Sequence, residues 1–271
     1  AQIAGANTIA SFGARVSAVP SPGEFGAAFE RSLRETERRV LTPLVAGAPR
    51  GGVLRSMQRA SASRSAILGL PTTPTVGTYF HLNANGKDPC TNPQTHSARI
   101  AAVSSGAIIA VDSLAPAGGF TDAEYASFAT TFDTLIFALD TSAFGAPDDI
   151  DGNGRVLIFF TQAVNQLTPK GANGFVGGFF FSRDLFPVTQ CSTSNVGEMF
   201  YVPVVDPDSL YNGFFKSKSA LQIQLYGTLA HEFQHLINAS RRLAVTQSTS
   251  FEEVWLNEGM SHIAEELLYF R

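Results

Sequence analysis

The chain has 271 residues, 44% of them apolar, and a formal net charge of −4. That is enough apolar material for one large domain or two lobes with a real core. Its 19 basic residues gather into no dominant patch, which argues against nucleic-acid binding, and no stretch reaches ~18 consecutive apolar residues, so no transmembrane helix is predicted.

In chain order, Ser21-Pro22-Gly23-Glu24 is a capping box with proline at the first helical position. It predicts a helix to about Leu41 with Phe25, Phe29, Leu33 and Val40 on one side. Arginines concentrate in residues 31–64, with acids interleaved in the first half, and this pattern predicts a solvated helix face. Residues 42–75, rich in Gly, Pro, Ser, Ala and Thr, read as a connector with a short helix near 53–60. Strands are predicted at Val76–Leu82, Ala98–Val103 and Ala107–Asp112, the last two joined by a hairpin at Ser104-Ser105-Gly106. A second capping box, Thr121 to Glu124, opens a helix to about Ala138 with Phe128, Phe132 and Leu135 facing inward. The uninterrupted apolar run Val156–Phe160 predicts a buried strand, and Val176–Phe181 and Met199–Val204 predict two more.

Between these, Asp149, Asp151 and Asn153 stand at positions 1, 3 and 5 of a calcium-loop pattern, with Gly154 at position 6. Position 12 is Phe160, where a bidentate glutamate is needed, so an EF-hand is excluded. Two readings remain open: a Ca2+ site of another kind, or a polar turn before a buried strand.

Residues 221–238 follow a helical period, with Leu221, Leu225, Leu229, Phe233 and Leu236 on the apolar side and fraying predicted near Asn238 or Ser240. This helix carries His231-Glu232-Phe233-Gln234-His235. Residues i and i+4 share a helical face, so His231 and His235 can grip one Zn2+ while Glu232 reaches a water on it. A catalytic zinc takes three protein ligands and keeps one position open, so a third ligand should come from another element. A second helix is predicted from Glu252 to Tyr269, with Val254, Leu256, Met260, Ile263, Leu267 and Leu268 as its buried face. It carries Glu258 within Trp255-Leu-Asn-Glu-Gly-Met-Ser261.

H-E-F-Q-H-L-I-N followed by W-L-N-E-G-M-S-H-I-A-E-E resembles the gluzincin zinc metallopeptidases, and within them the hyicolysin family of secreted bacterial peptidases. The resemblance covers roughly residues 120–271, including Phe144–Gly154 and Gly177–Pro187, while residues 1–75 match nothing. It implies zinc held by His231, His235 and Glu258, with Glu232 as general base in a peptide-hydrolysing enzyme acting on protein or peptide substrates. It also implies a secreted, extracellular protein. Thermolysin-like gluzincins place an aspartate four residues after the ligand glutamate, and this chain has His262 there. That leaves Glu265 or another carboxylate to orient a ligand imidazole. His262 then reads either as a donor to a developing oxyanion or as a surface residue; Tyr201, Tyr211, Tyr226 and Tyr269 are further candidate donors.

The implied fold class is α+β and zincin-like: a twisted mixed β-sheet packed on helices that include the metal-binding helix, with a short or truncated helical C-terminal lobe. The expected organisation is residues 1–75 as an N-terminal helix and connector, 76–240 as the zincin N-terminal lobe, and 241–271 as the start of a C-terminal helical lobe. Thirteen residues follow Glu258, so a separate C-terminal segment completing the fold is expected. Cys90 and Cys191 lie in polar loop contexts outside any metal-binding spacing, and in an oxidising compartment the expected state is one disulfide rather than two free thiols. Two other functions stay open on the residues alone: a non-catalytic protein with a metal-stabilised helix pair, and a mononuclear Fe(II) site.

Overall fold

The structure, a computed structural model, describes residues 23–46 and 73–271. Ser21, Pro22 and the predicted helix near 53–60 lie outside the described residues. Six strands form one mixed sheet in the order β1-β2-β3-β4-β6-β5. They are β1 (Tyr79–Asn83), β2 (Thr95–Val103), β3 (Ala107–Asp112), β4 (Val156–Phe160), β5 (Phe179–Phe180) and β6 (Met199–Val202). The first three form an antiparallel meander, β3, β4 and β6 run parallel, and β5 closes one edge antiparallel to β6. Every residue of β3 and β4 is buried, the pattern of a sheet covered on both faces.

The helices are α1 (Gly23–Thr36), α2 (Asp122–Thr131), α3 (Gln162–Leu167), α4 (Lys218–Ala244) and α5 (Val254–Tyr269). A π-helical turn, Glu37–Leu41, carries α1 on into a short helix, Thr42–Ala46. In the same way Phe132–Phe137 carries α2 on to Ala138–Phe144. Thr121 caps α2 as the sequence predicts, its hydroxyl accepting from Glu124 N–H while the Glu124 carboxylate accepts from Thr121 N–H. The helix stops at Gly145, whose φ of +88° suits glycine. The architecture is α+β, with a six-stranded mixed sheet and packed helices, consistent with a zincin-like fold.

Helix α4 is long because its apolar stripe has a long surface to cover. Leu225, Leu229, Phe233 and Leu236 are each 0% exposed. Phe233 meets Phe132 and Phe137 of the α2 continuation at ring distances of 5.0 and 5.3 Å. The helix runs to Ala244, beyond the predicted fraying point.

Leu135, expected to face inward, is 36% exposed. Three further expectations change. Val176–Phe181 pairs only at Phe179–Phe180, because the chain before it leaves the sheet to wall a cleft. The apolar side of α5 is not its buried face: Ile263 and Leu267 are exposed, with Trp255 73% exposed, while Asn257, Ser261 and Ala264 pack inward. Small and polar residues let α5 approach α4 closely and put hydrogen-bonding groups against its histidines. Finally, the charged stretch from Arg31 is solvated only in part: Arg31, Glu35 and Arg39 are exposed, Arg34 and Glu37 are 1% and 2% exposed, and residues 47–64 lie outside the described residues.

The expected disulfide is present. Cys90 and Cys191 are bonded, joining the loop between β1 and β2 to the loop before β6. Nearby, Asn83 and Asn195 exchange two hydrogen bonds of 2.9 Å.

Asp140, in the α2 continuation, is fully buried with neither carboxylate oxygen hydrogen-bonded. Burial pushes its carboxyl up to about 7. The native state therefore holds this proton more tightly than the unfolded chain, and the stability it contributes at acid pH is lost as pH rises toward 7. Asp140→Asn should match the parent near pH 4 and exceed it above pH 7 by on the order of 3 kcal/mol. Urea unfolding at both pH values checks this; a difference that does not grow with pH would count against it.

Candidate active site

Helix α4 places His231 and His235 one turn apart, 7% and 0% exposed, with their rings turned toward α5. Their Nε2 atoms stand 3.1 Å from each other. Glu258 of α5 completes a triangle, Oε2 lying 3.7 Å from His231 Nε2 and Oε1 3.7 Å from His235 Nε2. Ligands bound to one tetrahedral zinc at about 2.0–2.1 Å stand roughly 3.3 Å apart, so the spacing suits a single small cation. Glu258 Oε1 is buried and has no hydrogen-bond partner, as expected of an atom meant for a metal. Two imidazoles and a carboxylate suit zinc.

The far side of each imidazole is anchored. His231 Nδ1 meets Glu265 Oε1 at 2.5 Å, and His235 Nδ1 meets Asn257 Oδ1 at 2.9 Å and Ser261 Oγ at 3.0 Å. Such partners fix ring orientation and leave the Nε2 lone pairs facing inward. Burial is the largest influence on His235 and, with the Arg34 charge, keeps its imidazole neutral. Burial pushes Glu265 upward, but hydrogen bonds from His231 and His262 outweigh it and bring the carboxyl down to about 2. Glu265 thus gives His231 a carboxylate partner that position 262, a histidine, does not supply.

Glu232 is 3% exposed, and its Oε2 accepts from Phe180 N–H of the edge strand at 2.8 Å. Burial pushes its carboxyl up to about 7, against the opposing charges of His231 and Arg34. Gly178 makes this approach available. A Cβ there would meet Thr228 Cγ2 at 2.7 Å, the Tyr201 carbonyl oxygen at 2.9 Å and Glu232 Cγ at 3.3 Å.

These groups open onto a cleft of about 700 Å³, walled by Phe175–Gly178, α4, α5 and α1. His262 lies on its rim, 67% exposed, with Nδ1 3.2 Å from Glu265 Oε1. None of the four candidate tyrosines lines the cleft. Tyr201 is fully buried and donates to Asp184 Oδ2 at 2.7 Å, a structural role.

Sequence reasoning missed Glu30 and Arg34 of α1. One carboxylate oxygen of Glu30, one of Glu232 and a ring nitrogen of His235 lie within 4.8 Å of one another. Arg34 donates to the Phe180 carbonyl, pairs with Glu37 at 2.9 Å and stands 3.9 Å from Glu258 Oε1. At i and i+4 with opposite charges, Glu30 and Arg34 look from sequence like an ordinary surface helix pair, and nothing local marks them otherwise. Of the candidate calcium ligands, Asp149 and Asp151 come together with Glu198, which the sequence did not suggest. Beside them, the Asn153 amide donates to Asp151 Oδ2 at 2.6 Å, and Asn153 Oδ1 accepts from Arg155 N–H at 2.7 Å.

Over 148 residues the chain is 32% identical to the Neutral metalloprotease ShpI of Staphylococcus hyicus. The chain is related to a metalloprotease. The shared stretch is 54% of this chain and 31% of the relative, so the chain spans about a third of that protein's length. No family model matches the chain. The relationship implies a metal cofactor, and His231, His235 and Glu258 form one group able to hold it. Among the described residues no helix is long and apolar enough to cross a membrane.

Proposed function

We propose that the chain carries the catalytic centre of a zinc-dependent endopeptidase of the gluzincin, hyicolysin-like type. His231, His235 and Glu258 are its zinc ligands and Glu232 its general base. The observation that carries this reading is the convergence of two imidazole Nε2 atoms and the Glu258 carboxylate, at contacts of 3.1–3.7 Å, beside a buried carboxylate already fixed by the edge strand. A bound zinc supplies a coordinated water with its pKa lowered to roughly 7 and polarises the scissile carbonyl. Glu232 Oε2 is held by Phe180 N–H, which leaves Oε1 free to take a proton and return it to the leaving amine. His262, at the rim, is the candidate donor to the substrate's carbonyl oxygen. A non-catalytic metal-stabilised helix pair would not need Glu232 in this place. The division at residues 75 and 240 remains part of this reading. The disulfide and the resemblance to secreted peptidases support an extracellular location.

Elemental analysis of the purified protein, paired with casein cleavage before and after chelation, tests the proposal. About one zinc per chain and chelator-sensitive cleavage are expected; a folded protein without zinc, or cleavage that survives chelation, would overturn it. Glu265→Ala should weaken zinc binding about 10–100-fold, the usual cost of removing a carboxylate that orients a metal-binding histidine. Competition with a chromophoric chelator measures this, and an unchanged affinity would remove Glu265 from that role.

A further inference from the structure

A second group of carboxylates lies outside the cleft. One oxygen each of Asp149, Asp151 and Glu198 fall within 4.8 Å of one another. Asp149 and Asp151 belong to the loop entering β4, and Glu198 immediately precedes β6, the parallel neighbour of β4. Glu198 is 3% exposed. Its Oε1 accepts from Ile150 N–H at 2.7 Å, while its Oε2 is buried with no partner. No ion pair among the described residues involves any of the three. The nearest arginine in sequence, Arg155, is turned away and donates to the carbonyls of Ser104 and Asn153.

We propose that Asp149, Asp151 and Glu198 bind a hard divalent cation, with calcium the best fit. Three carboxylates facing one another without a counter-charge repel, and an orphaned buried carboxylate oxygen costs its full desolvation. Oxygens sharing a calcium at about 2.4 Å stand at most about 4.8 Å apart, and the three oxygens here lie within that limit of one another. The donor set is all oxygen, which selects against zinc. Asp149 is exposed, giving the ion an entry path and room for waters in its remaining positions. On this reading the closing carboxylate that position 12 of an EF-hand would supply comes from Glu198, just before β6.

The cation would staple the starts of β4 and β6. It would also brace the end of α4, because the same loop donates from Asp148 N–H to Ser240 Oγ at 2.7 Å and accepts from Arg241 at the Ala146 carbonyl. This inference is independent of the peptidase reading, and so is its test. The full chain as purified, dialysed exhaustively into calcium-depleted buffer, is titrated calorimetrically with CaCl2 and, separately, MgCl2, and melted with and without 1 mM of each salt. One Ca2+ site with a midpoint below millimolar, an upward melting shift of several degrees and weaker binding of Mg2+ are expected. Asp149→Asn, an exposed substitution compatible with folding, should weaken calcium at least tenfold. Glu198→Gln should melt no lower than the parent without calcium, since it removes a buried charge, yet lose the calcium-induced shift. No heat and no shift in the parent, or the same shift in both variants, would overturn the site; Mg2+ binding as tightly as Ca2+ would overturn the choice of calcium.

Discussion

Glu232→Gln is expected to keep its zinc and lose about 10²–10⁴-fold in kcat/KM, the range usually attributed to a positioned general acid–base. The exchange is nearly isosteric. A glutamine carbonyl can still accept from Phe180 N–H, which now holds Oε2 at 2.8 Å, so the edge strand keeps its anchor. The three ligand side chains are untouched. What disappears is an oxygen able to take a proton. The substitution also removes one of several acids crowded near Glu30 and Glu258, so folding stability should hold or rise. Zinc content, an unfolding curve and kcat/KM on one peptide separate these effects. A glutamine variant with parental kcat/KM would take Glu232 out of the role of base, and one that lost zinc would show the carboxylate to be part of the metal's own environment.

The second large effect concerns the Cys90–Cys191 bond, whose cysteines are 101 residues apart. In the loop-entropy account a closed loop of about 100 residues is worth roughly 4–5 kcal/mol, taken from the unfolded state. The double variant Cys90→Ser, Cys191→Ser should therefore lose up to about 4 kcal/mol, and its guanidinium midpoint should no longer respond to reductant. The Asn83–Asn195 pair offsets none of that loss, because hydrogen bonds formed only in the folded state do not restrict the unfolded chain. A loss below about 1 kcal/mol would mean the reduced, unfolded chain already keeps these two loops near each other.

Elements whose signal is local could be read from sequence. The apolar run of β4 and the Thr121 capping box sit where the sequence places them, because the first needs only burial on both faces and the second only four adjacent residues. His231, Glu232 and His235 share a helix, so their common face follows from its period. The failures share a cause. The inward face of α5 is the polar one because it serves the imidazoles of α4, a demand that hydrophobic periodicity cannot register. Glu30 and Arg34 reach Glu232, Phe180 and Glu258 across more than a hundred residues of chain, and Glu198 reaches Ile150 across 48. Buried charge looks like surface charge until its partners are in place.

The hold of Arg34 on the Phe180 carbonyl bears on access. Strand β5 is one edge of the sheet, and on the proposed peptidase reading its outer backbone groups are where an extended peptide would add as a further strand beside Glu232. Helix α1 already uses that edge: its arginine occupies the carbonyl, and Gly23, Gly26, Ala27 and Glu30 line the space a peptide would cross. Docking of α1 and pairing of a peptide with β5 therefore compete for the same backbone. Any change that loosens α1 would alter how readily the cleft is entered, and would also disturb Arg34 beside Glu258.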